Sequence, residues 1–469
     1  MVIKSDARLK EINRVKGEVE RIMSEKSDNV LQFEFNQDYP ILTHGKGIYV
    51  YDVNGKEYID GTSGSISSSL GHGRSDMGQA IAEQASKIAY INRHVASSEI
   101  LQKAAEKMHE VTGLDKFFTV SGGTEANEIA TKIARLHFYH QGKREKNKII
   151  GRWQSYHGYS VDTLSFGGHV GRRKEFVSYL REDGHIAPPY CYRCWYGKEE
   201  GCCDFECANA LETEILERGP ENIAGFISET VCGTALNAAV APVGYYKRIR
   251  EICDEYDVLM INDEIMSGAG RTGTMLAIEH YGVKPDIVSL AKSIGGGYFP
   301  VGVACCTQEV LNPIIEFGSF SPGYTWAGNP LAAAVIIKTL DVFKEEKLME
   351  NVKAQGDYLI KSLLSMKNRH PSIGDIRGKG LLVGVEFVRN KETKECFDPK
   401  VLYSARIADA AQKLGLCLMA TGGFDKGWRG NGILMSPCFE VTKEEIDKIL
   451  DRFESAVTVV ESTLEMEFF

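Results

Sequence analysis

The sequence predicts an α/β protein with a mostly parallel sheet in a large domain and a smaller α+β domain formed by both chain ends. From about residue 77 onward, helical patterns alternate with short apolar runs, and this rhythm is typical of a parallel sheet covered by helices on both faces. The chain has 469 residues, whereas single domains commonly have roughly 100–150. A long helical pattern after Asn329 and Pro330 indicates a domain boundary along that helix.

The elements follow in chain order. Residues 1–23 show a charged helical pattern, and residues 47–61 alternate apolar and polar side chains around Asn54 and Gly55, which is a strong hairpin signal. Strands are predicted at residues 117–120, 148–151, 225–228, 258–261, 287–291 and 301–305. Helices are predicted at residues 77–87, 99–110, 125–140, 209–217, 244–256 and 331–346.

These elements predict three segments of the chain. Residues 1–70 form an N-terminal segment that packs with the small domain. Residues 71–330 form the large domain and carry a cysteine-rich insert at residues 188–207. Residues 331–469 form the C-terminal small domain.

The charge and the apolar content of the sequence limit the kinds of partner that the protein can have. The net charge is -9 and the sequence pI is about 5.8, which disfavours partners such as nucleic acid or an anionic membrane surface, since both need a basic face. A run of ~18 apolar residues, which a membrane span would need, is absent from the sequence. The N-terminus has no apolar segment of the secretory type, so we expect a cytoplasmic protein.

Two of the strands end in motifs that suit a flat, phosphorylated ligand. In open α/β sheets, ligands bind beyond the carboxyl ends of strands. The stretch "SGGTEANE" after residues 117–120 contains Gly123 and Thr124, and the free N–H groups of a helix N-terminus can cradle a phosphate there. Tyr156 and His157 follow residues 148–151, and an aromatic side chain at a strand end can stack on a heterocycle.

Two further strands end in charged residues. Asp263 follows the apolar residues 258–261, where a carboxylate needs a partner, and a protonated ring nitrogen would serve. Lys292 follows "IVSLA", where desolvation makes an amine nucleophilic, as a Schiff-base lysine requires. Each motif alone also fits a structural role, such as a capped turn, a core aromatic, a surface acid or a lysine that reaches solvent. Together they indicate one ligand with a phosphate, a pyridinium and an aldehyde, which is pyridoxal 5′-phosphate.

The motifs resemble those of class III pyridoxal-phosphate-dependent aminotransferases, the ω-aminotransferase group of fold type I. The resemblance extends from about Gly45 to Lys448. It rests on "SGGTEANE", "YHG", "NDEIMSGAGRTG", "LAKSIGGG" and "TWAGNP", which occur in the family's order. It implies a sheet of the seven-stranded type in the large domain.

The resemblance implies a role for each matching residue. Lys292 would form the Schiff base and Asp263 would pair with the pyridine nitrogen, so both are expected to be catalytic. The expected cofactor contacts are Gly123, Thr124, Tyr156, His157, Glu229, Asp263, Ile265, Lys292 and Thr325. Thr325 would reach the phosphate of the partner subunit, which implies a homodimer with composite sites; a tetramer is the alternative.

The expected reaction moves an amino group from a small-molecule donor to a 2-oxo acid, such as pyruvate or 2-oxoglutarate, in ping-pong fashion. The preferred donors are amines and ω- or β-amino acids of the β-alanine or taurine kind, and an acyl-linked β-amine is an alternative. An amino-acid racemase or epimerase, or an aminomutase, would use the same scaffold with no external acceptor.

The substrate pocket departs from the family pattern. Leu434 stands where ornithine-type members carry an arginine, and Thr234 stands where they carry a gate glutamate. Met266 replaces the usual glutamine beside the cofactor phenol. We expect Arg429 to bind a substrate carboxylate or sulfonate, because its planar fork suits such groups, and Ile66 to contact the substrate.

A cysteine cluster interrupts the large domain. Cys191 and Cys194 are followed by Cys202, Cys203 and Cys207. We expect an accessory loop without a metal, and the alternative is a zinc site formed by Cys191, Cys194, Cys202 and Cys207. A zinc-dependent or non-catalytic scaffold protein is the corresponding alternative function.

Overall fold

The computed structural model describes residues 29–33, 39–320 and 322–468, with residues 465–468 described by their backbone only. Residues 42–469 form a unit distinct from residues 1–41, and the strands and helices described belong to that unit. The helical pattern of residues 1–23 lies outside the described residues. Among the helices described, none combines the length and the apolar character that crossing a membrane requires.

A seven-stranded sheet forms the centre of the described unit, in the order β4-β12-β11-β10-β7-β5-β6. Its neighbours pair in parallel, except that β12 runs antiparallel to both β11 and β4. Its strands are β4 (Lys116–Val120), β5 (Lys148–Arg152), β6 (His185–Ile186), β7 (Ile223–Glu229), β10 (Leu259–Asp263), β11 (Ile287–Leu290) and β12 (Gly302–Cys306). Every residue of β7 is buried, as expected for a strand covered on both faces.

Three smaller sheets complete the strands of the described unit. The first sheet, in the order β1-β2-β3-β15, joins three N-terminal strands to a strand from the C-terminal part of the chain, and β15 pairs in parallel with β3. The second is antiparallel, in the order β13-β14-β17-β16, and the third contains β8 and β9. Their bounds are β1 (Leu42–Lys46), β2 (Tyr49–Asp52), β3 (Glu57–Asp60), β8 (Val231–Cys232), β9 (Ala239–Val240), β13 (Ile373–Lys379), β14 (Leu382–Phe387), β15 (Leu416–Cys417), β16 (Met419–Asp425) and β17 (Arg429–Met435).

Helices cover the sheets, and sequence signals explain where several of them begin. The Asn329 side chain accepts hydrogen bonds from the N–H groups of Leu331 and Ala332, and Pro330 occupies the first helical position, which it suits because its φ is fixed. The helices are α1 (Ser75–Lys87), α2 (Glu99–Thr112), α3 (Gly123–His140), α4 (Val161–Phe166), α5 (Val170–Arg173), α6 (Glu206–Arg218), α7 (Tyr245–Glu255), α8 (Gln308–Phe317), α9 (Pro330–Glu345), α10 (Leu348–Lys367), α11 (Tyr403–Lys413) and α12 (Lys443–Phe468). Short helical turns occur at Ser63–Ile66, Val177–Tyr179, Cys191–Arg193, Pro220–Asn222, Ala277–Tyr281, Lys292–Gly295 and Pro399–Val401.

The predicted α/β class and the mostly parallel sheet are confirmed. Each predicted strand and helix between residues 77 and 346 overlaps an observed one, and the predicted hairpin is the antiparallel pair of β2 and β3. The antiparallel direction of β12 was not anticipated, because an apolar run carries no sign of its direction. The predicted segment boundaries at residues 70 and 330 stay predictions.

Candidate active site

A cavity of about 480 Å³ lies at the carboxyl ends of the central strands; we call it the central cavity. The motifs that follow four different strands meet there, as open α/β sheets predict. The cavity is lined by Ser67, Ser121, Gly122, Gly123, Thr124, Tyr156, His157, Gly158, Glu229, Asp263, Ile265, Met266, Ala291, Lys292, Gly297, Tyr298, Phe299, Pro300 and Val301.

Two carboxylates stand side by side in this cavity. Asp263 ends β10 and Glu229 ends β7, and these residues pair directly in the parallel register of the two strands. Their exposed fractions are only 3% and 4%. Burial of charged groups is costly without partners, so the hydrogen bonds around each carboxylate decide its role.

Side chains and one backbone group hold the Asp263 carboxylate. Asn127 Nδ2 donates to its Oδ2 atom at 2.7 Å, and His157 Nδ1 lies 2.8 Å from the same oxygen. The Ile265 N–H donates to Oδ1 at 3.0 Å. Ser289 in turn donates a hydrogen bond to the Asn127 side-chain oxygen. This network fixes the direction of the carboxylate toward the cavity.

Lys292 follows β11 and reaches the same cavity. The Lys292 side chain is partly exposed because it lines the cavity. The surrounding protein nevertheless shields it from bulk water. That burial lowers the pKa of Lys292, and the nearby Asp263 and Glu229 carboxylates oppose the shift. The residue also has a φ of 49°, a strained backbone conformation of the kind that clusters at functional sites.

The N-terminus of α3 forms a small concave surface beside Lys292. Gly123 and Thr124 open the helix there, so their backbone N–H groups have no partner within the helix. A Cβ atom at Gly158 would lie 2.7 Å from Thr124 Oγ1, and Gly158 has a φ of 139°. Glycine is therefore required at Gly158 to keep the Thr124 hydroxyl close. The surface suits an anion such as a phosphate.

Glu229 anchors the loop that carries Tyr156. Its Oε1 atom accepts a hydrogen bond from the Tyr156 N–H at 3.0 Å, and its Oε2 atom accepts one from the Gly233 N–H at 2.8 Å. The guanidinium carbon of Arg172 lies 4.9 Å from the centre of the Tyr156 ring. Glu229 thus connects two loops, and its position beside the aromatic ring depends on backbone donors.

Most of the predicted site residues meet in the central cavity. The cavity contains Gly123, Thr124, Tyr156, His157, Glu229, Asp263, Ile265 and Lys292. Their individual roles stay predictions. Met266, which departs from the family pattern, also lines the cavity and packs with an apolar cluster.

Three predicted residues lie elsewhere. Ile66 is fully buried in the apolar cluster that contains Met266 and Leu434, and it has no exposed surface to offer a substrate in this chain. Thr325 is exposed and does not line the cavity of its own chain. Arg429 lines a different pocket and pairs with Asp425, with its Nε atom 3.0 Å from Oδ2.

The cysteines of the insert differ in their surroundings. Cys202 is exposed, whereas Cys191, Cys194 and Cys203 lie close enough to Cys207 to act on its thiol. Burial raises the pKa of Cys207 to about 12, and the three neighbouring thiols raise it further. Among the described residues, no group of three or more histidine, cysteine, aspartate or glutamate side chains is arranged to hold a metal ion. The alternative of a zinc site formed by Cys191, Cys194, Cys202 and Cys207 stays a prediction.

The insert is attached through other side chains. Tyr190 donates a hydrogen bond to Glu386 of β14, and Arg193 Nε donates to Glu386 Oε1 at 2.7 Å. Trp195 Nε1 donates to Gln154 Oε1 at 3.2 Å, two residues before Tyr156. The insert thus contacts the segment that leads to Tyr156.

Two site residues were missed in the sequence. Asn127 lies in the motif "SGGTEANE", one helical turn after Gly123, and this spacing could have placed its side chain toward the strand ends. Arg172 lies on the short helix α5 in an irregular stretch, where no periodic pattern indicated its position.

The arrangement fits a ligand with a phosphate, a flat cationic ring and a carbonyl. The α3 N-terminus would hold the phosphate, Tyr156 and Ile265 would face the ring, and Asp263 would meet the ring nitrogen. Lys292 would supply an amine to the carbonyl. The fit rests on the buried Asp263 carboxylate. Its Oδ1 atom can accept a further hydrogen bond from a donor in the cavity.

Comparison with known proteins assigns the chain to a family. The sequence profile "Aminotransferase class-III" matches residues 34–457. The chain is 34% identical to the uncharacterized aminotransferase YodT of Bacillus subtilis (strain 168), over 94% of this chain and 100% of that protein. It is 32% identical to the putrescine–pyruvate aminotransferase of Pseudomonas aeruginosa, over 87% of this chain and 88% of that protein. The crystal structure of a transaminase from the marine bacterium Virgibacillus is similar with a TM-score of 0.88 and 32% identity, over 94% of this chain and 99% of that one.

Proposed function

The chain belongs to the class III aminotransferase family, and on that premise we propose which amino group it transfers and with which residues. The donor is an ω- or β-amino acid of the β-alanine or taurine kind, or an amine. The acceptor is a 2-oxo acid such as pyruvate or 2-oxoglutarate. The observation that carries the proposal is the position of Lys292, which lines the same cavity as the paired carboxylates Asp263 and Glu229.

Class III aminotransferases depend on pyridoxal 5′-phosphate, and we propose that the central cavity of this chain binds it. When bound, the cofactor supplies an aldehyde that condenses with amines and a ring that accepts electrons from the substrate carbon. Gly123 and Thr124 bind its phosphate. Asp263 pairs with the ring nitrogen and keeps it protonated, while Tyr156 packs against the ring.

Lys292 carries the proton transfer in this proposal. Its lowered pKa favours the uncharged amine, which is the form that can act as a base. The Nζ atom takes a proton from the amine-bearing carbon of the substrate, and general-base catalysis of this kind contributes roughly 10²–10⁴-fold to the rate. The carbonyl product leaves before the acceptor enters, so the kinetics are ping-pong.

We further propose that two chains form a homodimer with composite sites. The exposed position of Thr325 supports a contact with the partner's cofactor rather than with its own. Large apolar side chains are exposed beside it, since Trp326 is 57% exposed and its ring centre lies 5.5 Å from that of Tyr90, which is 45% exposed. Apolar patches of this kind mark protein interfaces. Light scattering of the purified protein should give twice the chain mass of 52.0 kDa.

A panel of amino donors tests the activity. The protein is loaded with pyridoxal phosphate, and each donor is supplied with pyruvate or with 2-oxoglutarate. We expect formation of the matching carbonyl product and of alanine or glutamate. A loaded protein without a visible band that borohydride abolishes would contradict the use of this cofactor.

The same panel separates the alternatives. A racemase or epimerase would change the chirality of an α-amino acid with no acceptor present. An aminomutase would move the amino group within one molecule, again with no acceptor. A strict requirement for the 2-oxo acid supports the transaminase. An acyl-linked β-amine would be favoured if the free β-amino acids react far more slowly than their thioesters.

A further inference from the structure

Arg172 places a second cationic group beside the central cavity. It lies on the short helix α5, and its guanidinium carbon is 4.9 Å from the centre of the Tyr156 ring. Tyr156 lines the central cavity. Burial is the largest cause of the lowered pKa of Lys292, and the charge of Arg172 lowers that pKa further. The guanidinium group is therefore near enough to influence the protonation of the Lys292 amine.

The guanidinium of Arg172 is available for a ligand. Within the described ranges, 29–33, 39–320 and 322–468, no carboxylate forms an ion pair with it. Arg429, the arginine expected from the sequence, differs in this respect. Its Nε and one terminal nitrogen lie 3.0 Å and 2.6 Å from Asp425 Oδ2. A substrate anion would have to compete with Asp425 for Arg429, whereas Arg172 has no such competitor among these residues.

Arg172 also lines a second pocket of about 640 Å³, which we call the hairpin pocket. It lies between α5 and the hairpin of β16 and β17, where a Cβ atom at Gly427 would collide with Val170. Its lining contains Arg172, Arg429 and the exposed Trp428, and no carboxylate among the described residues. Burial and the charge of Arg172 lower the pKa of His169, which also lines the pocket, to about 4, so His169 adds no charge near neutral pH.

Tyr156, which lines the central cavity, contacts two residues that line the hairpin pocket. Its ring makes an edge contact with the His169 ring, at 6.2 Å between centres, and carries Arg172 over its face. A linear donor whose amine is at Lys292 can extend past Tyr156 toward the hairpin pocket. Its far end would then reach a guanidinium fork, and carboxylates and sulfonates match that fork with two parallel hydrogen bonds.

We propose that Arg172 binds the distal anionic group of the amino donor and thereby selects ω-amino acids and aminosulfonates over uncharged amines. This inference rests on the proposed function, because it concerns the donor of the same reaction. It replaces Arg429 by Arg172 as the arginine that determines specificity. The hairpin pocket provides the room for donors with several carbon atoms between the amine and the anion.

The test follows the first half-reaction of the holoenzyme by the change in its visible absorption, with no acceptor added. The donors are matched pairs in which a methyl group replaces the carboxylate, β-alanine against propylamine and 5-aminopentanoate against pentylamine, with taurine as the sulfonate. In Arg172→Gln we expect the apparent Kd of the amino acids and of taurine to rise about ten- to a hundredfold, the usual effect of losing a charged hydrogen-bonded partner. The values for propylamine and pentylamine should change far less, by the common factor that loss of the Arg172 charge near Lys292 imposes on every donor.

Three further variants control for charge and geometry. Lys174→Gln removes the same charge from an exposed residue just after α5 and should leave every donor unaffected. Arg172→Lys keeps the charge without the planar fork and should fall between Arg172→Gln and the wild type. Arg429→Gln should affect the amino acids less than Arg172→Gln does. Inert pentanoate should compete with pentylamine in the wild type but not in Arg172→Gln.

Two outcomes would overturn the proposal. One is an equal loss for amino acids and amines, or no loss for either, in a folded Arg172→Gln protein. The other is a selective loss in Arg429→Gln alone. If the wild-type holoenzyme reacts with none of these donors, the proposed function fails instead, and this result is separate from any effect of the variants.

Discussion

Asp263 and Glu229 are register partners on the neighbouring parallel strands β10 and β7, so two shielded carboxylates stand next to each other at one edge of the sheet. Their partners differ. Asp263 is held mainly by the side chains of Asn127 and His157, in addition to the Ile265 N–H group. Glu229 is held mainly by the backbone N–H groups of Tyr156 and Gly233, in addition to the Cys232 thiol. Equivalent positions in the sheet thus have different surroundings: we propose that Asp263 serves a ligand, whereas Glu229 connects the loops around the cavity.

Replacing Asp263 by Asn should lower the rate of the reaction more than it lowers the stability of the fold. The amide keeps the shape but cannot hold a ring nitrogen in its protonated form, and loss of one preorganised electrostatic partner costs about 10²–10³-fold in rate. Stopped-flow measurement of the half-reaction tests this. Asp257→Asn is the matched control, because Asp257 is exposed near the amino end of the same strand. Similar half-reaction rates for Asp263→Asn and the wild type would contradict the role of Asp263.

Lys292→Ala should abolish cofactor fixation by borohydride and lower the half-reaction rate by roughly 10²-fold or more. The apoprotein should unfold at the same urea concentration as the wild type or at a higher one, because the variant no longer shields an amine from water. Lys284→Ala is the control, since Lys284 is exposed shortly before the other end of β11. Peptide mass spectrometry that finds the reduced cofactor on another lysine would exclude Lys292.

His185 should make the protein sensitive to acid. Burial lowers the pKa of His185 to about 4, and the charge of Arg173 adds to this effect. The unfolded chain binds a proton near pH 6.5 and the folded chain does not, so stability is lost as the pH falls from about 6.5 to about 4. Over that window the wild type should lose up to about 3 kcal/mol relative to His185→Gln. Urea unfolding at several pH values measures the difference, and His94→Gln, at an exposed position, should behave like the wild type.

Glu386 should be essential for attaching the cysteine-rich insert. It is fully buried between Arg193 and Arg377, with nitrogen–oxygen distances of 2.7 and 2.8 Å. In Glu386→Ala both guanidinium groups lose their shielded partner, which should cost about 3–5 kcal/mol of the free energy of unfolding. Glu395→Ala removes a carboxylate from an exposed pair and should cost less than about 1 kcal/mol. Equal unfolding midpoints for the two variants would show that the insert is held in another way.

The thiols of the insert should differ in reactivity. Burial raises the pKa of Cys191 to about 11 and that of Cys207 to about 12, so both remain thiols near neutral pH and react slowly with iodoacetamide. The exposed Cys202 should be modified first, which mass spectrometry of timed digests can follow. Stoichiometric zinc in the purified protein, together with faster modification after a chelator, would contradict this expectation.

The sequence predicted the site residues that follow strands better than those that lie in irregular segments. The glycine-rich helix start, Tyr156, Asp263 and Lys292 could be predicted because each directly follows an apolar run, and strand ends of a parallel sheet converge. Arg172 could not be predicted, because it lies in an irregular segment where the direction of a side chain depends on tertiary packing rather than on a repeat. Ile66 is buried in the apolar cluster that contains Met266 and Leu434, and its contact with a substrate stays a prediction.

The antiparallel strand β12 has a consequence for how the substrate range of this enzyme can change. Because β12 begins at the edge where β11 ends, residues 291–301 remain at that edge and form one wall of the central cavity. The wall is therefore a short segment fixed at both ends, by β11 and Lys292 on one side and by β12 on the other. Insertions there would displace Lys292 or the sheet. New specificities should arise by exchange of single side chains within this wall, while changes in length accumulate in segments such as the cysteine-rich insert, which are tethered away from the chemistry.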